Sequence, residues 1–268
     1  MDTLWEMVES GPDDAEHTVL LLPGGMCSAR SYAEVMAEPA LAGTRLIAVT
    51  MPGHAGVPAP EDYSVESYAR VTAELAKNAG ADVVVGFSMG AVVAYEMVVS
   101  RAFTGPVVLL GVSLSAPDEP GFFRAIIRLG AVLGTLPCAV LKKGAASMAK
   151  HAPVPPERQE ALRADFARNK PHDMRLGLQA YLRWLHRDDD PATRLCDAGV
   201  PAWVVHAEKG DGALTAHERS VLEACPQVRV VTLPGKVFFL PNEVPGRIAQ
   251  MVVQALAEPD SPHPGPAP

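Results

Sequence analysis

Asp82-Val83-Val84-Val85-Gly86-Phe87-Ser88-Met89-Gly90-Ala91-Val92-Val93-Ala94-Tyr95-Glu96 is the stretch that decides the fold. Its first residues are β-branched and apolar, the signature of a buried strand, and Ala91 to Glu96 read as a helix. Between them stands Gly86-Phe87-Ser88-Met89-Gly90, a G-x-S-x-G sequence placed as a sharp strand-to-helix turn. The glycines have a physical reason: the serine is expected in a strained backbone conformation, and strand and helix approach too closely for side chains beside it. The Ser88 hydroxyl is then presented at the positive end of a helix, where the backbone N–H of Met89 can meet a developing oxyanion. A plain turn whose serine only caps the helix would explain the five residues alone, but not their strand and helix context.

Working outward, Thr18 to Leu22, Arg45 to Thr50 and Pro106 to Val112 are further short apolar runs, each followed by a turn and a helical pattern. That alternation builds a mostly parallel sheet covered by helices on both faces, an α/β fold. Two more runs, Ala202 to His206 and Val228 to Leu233, follow after a long interval. Within the interval helical periodicity takes over, for example at Met174, Leu178, Tyr181, Leu182 and Leu185, and predicts a helical cap over residues 118–198. The sheet core is then expected from residues 1–117 and 199–257. Phe122 to Val140 is strongly apolar, fitting either core beneath the cap or the lining of an apolar chamber. The proline-rich tail at 258–268 has no apolar partners and is expected to be disordered.

Composition narrows the function. With 268 residues, 48% of them hydrophobic, the chain suits one domain able to bury a core and enclose a pocket. A formal charge of -8, without clustered Lys and Arg, argues against nucleic-acid binding and for a small-molecule substrate. The stretch Met1 to Glu16 has acidic but no basic side chains, unlike an export signal, and no apolar run reaches the length of a membrane span. A cytoplasmic protein without a membrane role is expected. Cys27, Cys138, Cys196 and Cys225 are scattered and make no metal spacing, so neither a metal nor a cofactor is called for.

These motifs together resemble the α/β-hydrolase superfamily. Leu21-Leu22-Pro23-Gly24-Gly25-Met26 is similar to the family's oxyanion turn, with Pro23 where histidine is usual, and the resemblance implies that Gly25 or Met26 supplies the second oxyanion N–H. Met51-Pro52-Gly53-His54-Ala55-Gly56 is similar to the turn after the next strand, where the histidine is ordinarily structural. Val204-Val205-His206-Ala207-Glu208-Lys209-Gly210-Asp211 resembles the segment that delivers the acid, which makes Asp211 the match, in the family's order of serine, acid, histidine. Asp118 stands at a second place from which some members supply it.

The departure lies in Leu233-Pro234-Gly235-Lys236-Val237-Phe238-Phe239-Leu240, which resembles the Pro-Gly-x-His-Phe segment and puts Val237 where the histidine belongs. A valine cannot accept the serine proton, so the triad loses its base. Substitutes are a histidine elsewhere (His206 from the sheet; His151, His172 or His186 from the cap) or Lys236, if burial lowers its pKa. The expected function is a serine-type hydrolase acting on a small apolar ester, thioester or lactone. The alternatives are a lyase, cyclase or isomerase using the same pocket, or an inert binding protein. The oligomeric state is not legible.

Overall fold

A computed structural model describes residues 5–119, 125, 129, 133–187, 189–210 and 213–258. The central sheet has seven strands: β1 (Glu6–Ser10), β2 (Thr18–Leu22), β3 (Arg45–Thr50), β4 (Val83–Phe87), β5 (Val107–Leu110), β6 (Ala202–Gly210) and β7 (Val228–Val237). Their order is β1-β3-β2-β4-β5-β6-β7, parallel throughout except for β1, which pairs antiparallel with β3. The expected α/β architecture is therefore present. The sequence reading missed β1, and the reason is physical: an edge strand reading Glu-Met-Val-Glu-Ser, alternately half-buried and exposed, has no apolar run to announce it.

The inner strands β2, β4 and β5 are buried along their whole length, because helices cover both faces. On one face Leu20, Leu22, Val84, Leu109 and Val204 pack beneath α1 (Val65–Ala79) and α2 (Met89–Val99). On the other, Val19, Leu21, Val85, Val108 and Trp203 pack against Tyr32, Ile248 and Val252. After β5 no strand occurs among the described residues until β6. That interval contains α3 (Leu136–Ala149), α4 (Pro156–Arg168), α5 (Pro171–Leu185) and α6 (Pro191–Ala198), followed after β6 by α7 (Ala216–Glu223) and after β7 by α8 (Pro245–Leu256). Among the described residues no helix is long and apolar enough to cross a membrane. Nine of the 19 residues of the apolar stretch 122–140, and all but Glu258 of the proline-rich tail, lie outside the described residues.

Helix α2 is buried from Gly90 through Val98, so its one charged residue, Glu96, needs partners. Trp184 Nε1 of α5 donates to it at 3.0 Å, and Arg194 of α6 lies 3.7 Å away. The helix that follows Ser88 is thereby fastened to the helices inserted between β5 and β6.

Candidate functional site

At the end of β4, Ser88 takes φ +49° and ψ -113°, a region a residue with a Cβ avoids and occupies only when its surroundings force it. The surroundings do so. A Cβ at Gly86 would stand 2.3 Å from the carbonyl oxygen of Gly90, and one at Gly90 would stand 2.3 Å from that of Leu22. Strand, turn and helix are therefore in direct backbone contact. The Ser88 N–H donates to the Leu110 carbonyl of β5 at 2.8 Å, and its own carbonyl starts α2 by accepting from Ala91 and Val92 at 2.9 and 3.1 Å. Its side chain neither caps α2 nor makes another hydrogen bond among the described residues.

The turn after β2 lies against this elbow. A Cβ on Gly24 would sit 3.0 Å from the Phe87 ring and 3.5 Å from Ser88 Cβ, and one on Gly25 would sit 3.7 Å from Met89 Cβ. The turn is closed by Cys27 N–H donating to the Gly24 carbonyl at 3.1 Å, with Met26 left-handed at φ +70°. Met26 N–H donates to His54 Nδ1 at 3.0 Å. Of the two proposed oxyanion donors on this turn, Met26 has its N–H occupied. His54 is thus neutral with its proton on Nε2, and burial pushes its pKa down to about 4, against the opposing charge of Asp173.

The sheet beyond β5 is different. Strands β6 and β7 remain paired beyond an irregularity at Ala207/Lys209, so that Lys209 faces Lys236 and Gly210 faces Val237 in register. The Pro-Gly segment thus belongs to strand, longer than the expected Val228 to Leu233. Gly235, at φ +84°, donates its N–H to Glu208 at 2.8 Å. Val237 is buried in an apolar cluster with Phe87, Leu233 and Leu240. Asp211 lies outside the described residues, as does the side chain of Lys236.

The histidines weighed as bases go elsewhere. His206 is buried, and its Nε2 accepts from Arg219 of α7 at 2.6 Å; burial, and then the Arg219 charge, lower its pKa. His172 is exposed at the start of α5. His151 and His186 are also exposed, with Nδ1 3.0 and 2.8 Å from the carbonyls of Ser147 and Leu182 one turn earlier. Among the described residues none of these rings hydrogen-bonds to Ser88.

Asp118 follows β5 and is buried. Its Oδ2 accepts the N–H groups of Leu114 and Ser115, both at 2.9 Å, and buried Glu218 of α7 lies close enough for its charge to act on the carboxyl. Asp118 Oδ1 is buried without a hydrogen-bond partner among the described residues. Burial, with Glu218 beside it, raises the Asp118 pKa to about 7 despite the two backbone donors.

Sequence reading overlooked three residues here. Glu218 had a signal, since Thr215-Ala216-His217-Glu218 is a capping box, with Thr215 accepting from the Glu218 N–H at 3.2 Å. Asn169 and Asp165 had none. They reach the turn after β2 from the end of α4, more than 130 residues away.

Residues 19–250 match the model of the Alpha/beta hydrolase family. No curated protein matches the sequence. Among solved structures, a thermophilic esterase from Thermogutta terrifontis superposes with a TM-score of 0.73 at 18% identity, covering 94% of this chain and 92% of that one. An enol-lactonase from Burkholderia xenovorans LB400 gives 0.74 at 17% identity, over 95% and 96% of the two chains. The epoxide hydrolase CorEH gives 0.71 at 18% identity, over 94% of each. At such identities the likeness establishes a common fold, on which different chemistries are carried.

Proposed function

Since the chain belongs to the alpha/beta hydrolase family, we propose that it is a serine-type hydrolase with an incomplete triad, acting on a small, largely apolar ester, thioester or lactone. The observation that carries this reading is the strained backbone of Ser88, held at φ +49° between two glycines with the Gly24-Gly25 turn packed upon it. Such strain persists only where the fold over-determines it, and it has an evident use in exposing a nucleophile. In this reading Ser88 Oγ attacks the substrate carbonyl carbon. The N–H groups of Met89 and Gly25 receive the oxyanion, Met26 being engaged by His54. The helices inserted between β5 and β6 serve as the cap that encloses the substrate. Asp211 orients whichever base takes the serine proton. His206 suits that task least, because Arg219 occupies its Nε2. Lys236 is the candidate on the strand where the histidine is missing. Oxyanion donors alone are worth two to three orders of magnitude in rate, so partial machinery still catalyses.

A second reading has its own support. Val237 is packed among apolar side chains, and Ser88 has no hydrogen-bonding base among the described residues. Both features suit a lyase, cyclase or isomerase that uses the pocket to orient and polarise its substrate. Hydrolysis of short and medium acyl p-nitrophenyl esters by the wild type, Ser88→Ala and Val237→His separates the two. We expect slow wild-type turnover that Ser88→Ala abolishes. Turnover that survives Ser88→Ala would sink the serine mechanism, and turnover seen only after histidine is restored would favour the second reading.

A further inference from the structure

Met26 and Ala55 are two of the four non-glycine residues with left-handed backbone among the described residues, at φ +70° and +43°. Neither has the short polar side chain that eases this conformation, so something else must hold it. One side chain grips both. Asn169 Nδ2 donates to the Met26 carbonyl at 2.9 Å, and its Oδ1 accepts the Ala55 N–H at 3.0 Å. Asn169 is only 2% exposed, and its Nδ2 also donates to the Asp165 carbonyl at 2.8 Å, which locks the carboxamide at the end of α4. The Ala55 N–H can only donate, so the orientation of the carboxamide is settled by its partners. On the other side of Met26, His54 Nδ1 takes the N–H at 3.0 Å. Beside it Asp165 accepts from the Ser28 N–H at 3.2 Å and from the Ser28 hydroxyl.

Both backbone polar groups of Met26 are thus held by buried or half-buried side chains from two other parts of the chain. The peptide joining Gly25 to Met26 cannot rotate without breaking the bond to His54.

We infer that Asn169, seconded by His54, is a positioning residue: it fixes the Gly24–Cys27 turn in the conformation that serves Ser88 and makes that site depend on the seating of helix α4. The inference rests on the reading of Gly25 as an oxyanion donor. A turn held this way is preformed before substrate arrives, which is what an oxyanion hole requires. A displacement of α4 releases Met26 and Ala55 together, so the inserted helices and the oxyanion turn behave as one unit.

The test uses the full chain as Asn169→Ala, Asn169→Asp, His54→Ala and His54→Gln. Asn169→Asp keeps the shape and the acceptor for Ala55 but loses the donor to Met26; His54→Gln can retain an acceptor. Two measurements are made on each. The first is amide hydrogen exchange at Met26, Cys27 and Ala55, with β4 amides as the internal standard. The second is binding of an aliphatic trifluoromethyl ketone, followed by fluorine NMR, against the matching methyl ketone. With the trifluoromethyl ketone Ser88 Oγ bonds to the carbonyl carbon, the C=O π pair moves to oxygen, and the serine proton passes to solvent.

The expected result is exchange at Met26 and Cys27 at least about tenfold faster in both Asn169 variants, with β4 unchanged. Trifluoromethyl ketone affinity should fall roughly 10- to 100-fold while methyl ketone affinity stays within about twofold. His54→Gln should recover part of what His54→Ala loses. Unchanged exchange, or an unchanged affinity ratio between the two ketones, overturns the inference. A wild type that forms no adduct with Ser88 instead overturns the hydrolase reading, and exchange then decides the clamp by itself.

Discussion

At the carboxyl ends of β2 and β4 the backbone is bent into conformations that chains avoid, whereas the ends of β6 and β7 run on as paired strand. Ser88 and Met26 are left-handed, glycines let the backbones touch, and Asn169 and His54 hold the turn from outside. At the other end Gly210 pairs with Val237, and the valine joins an apolar cluster. Strain at the first edge is costly to maintain and has no packing benefit of its own, so it points to use. Among its described residues the second edge puts only a glycine, Gly235, in the left-handed region, and it buries Val237. Asymmetry between the two edges is the molecule's most informative feature.

The largest effect should come from breaking the strained edge. Gly90→Ala places a Cβ where the Leu22 carbonyl already stands, 2.3 Å away, with rigid backbone on both sides. We expect a loss of upwards of about 3 kcal/mol in urea unfolding, at the severe end for a single substitution. A loss below about 1 kcal/mol would mean that strand and helix can separate, and the elbow would not be the rigid half of the comparison.

Val237→His tests the β6–β7 edge. It should lower stability by about 1–3 kcal/mol, by putting a polar ring into an apolar cluster. If Ser88 is otherwise ready, it should also raise ester hydrolysis by roughly 10²-fold or more, the contribution of a general base. Lost stability without gained rate would show that β7 carries residue 237 away from the serine.

The raised pKa of buried Asp118 gives a pH test. The folded pKa of Asp118, about 7, lies above its ordinary 3.8, so between these values the folded state binds more protons than the unfolded one. Its stabilisation is complete below about pH 4 and is lost as pH rises through about 7. The stability difference between wild type and Asp118→Asn should therefore decline over that window, by at most about 1.4 kcal/mol per pH unit, and level off above it. A difference that does not change with pH would show that folding does not raise the Asp118 pKa.

His54 has the opposite sign. With a folded pKa near 4, it binds fewer protons than the unfolded chain, so its contribution is complete above about pH 6.5 and is lost as pH falls towards 4. Its ring signals in NMR should not titrate above pH 5; a midpoint near 6.5 would mean that the Met26 N–H does not hold the ring. The smallest effect is expected from Thr215→Ala, which removes the capping box of α7 and should cost about 1 kcal/mol in thermal unfolding.

Much of the strained edge was legible in the chain, because its causes are local. A valine-rich strand, a glycine-flanked serine and a helix succeed one another within fifteen residues, and steric exclusion around Gly86 and Gly90 acts over neighbouring positions. That Val237 stands where the resemblance expects a histidine was likewise read from sequence, and so was the alternation of strands that builds the sheet. Tertiary structure decided where the polar groups went. His206 turns to Arg219, thirteen residues on, Asp118 is buried beside Glu218 of α7, and the Met26 carbonyl waits for an asparagine 143 residues away. No periodicity encodes such pairings, because a buried polar group takes whatever partner the packing of distant elements brings within hydrogen-bonding distance.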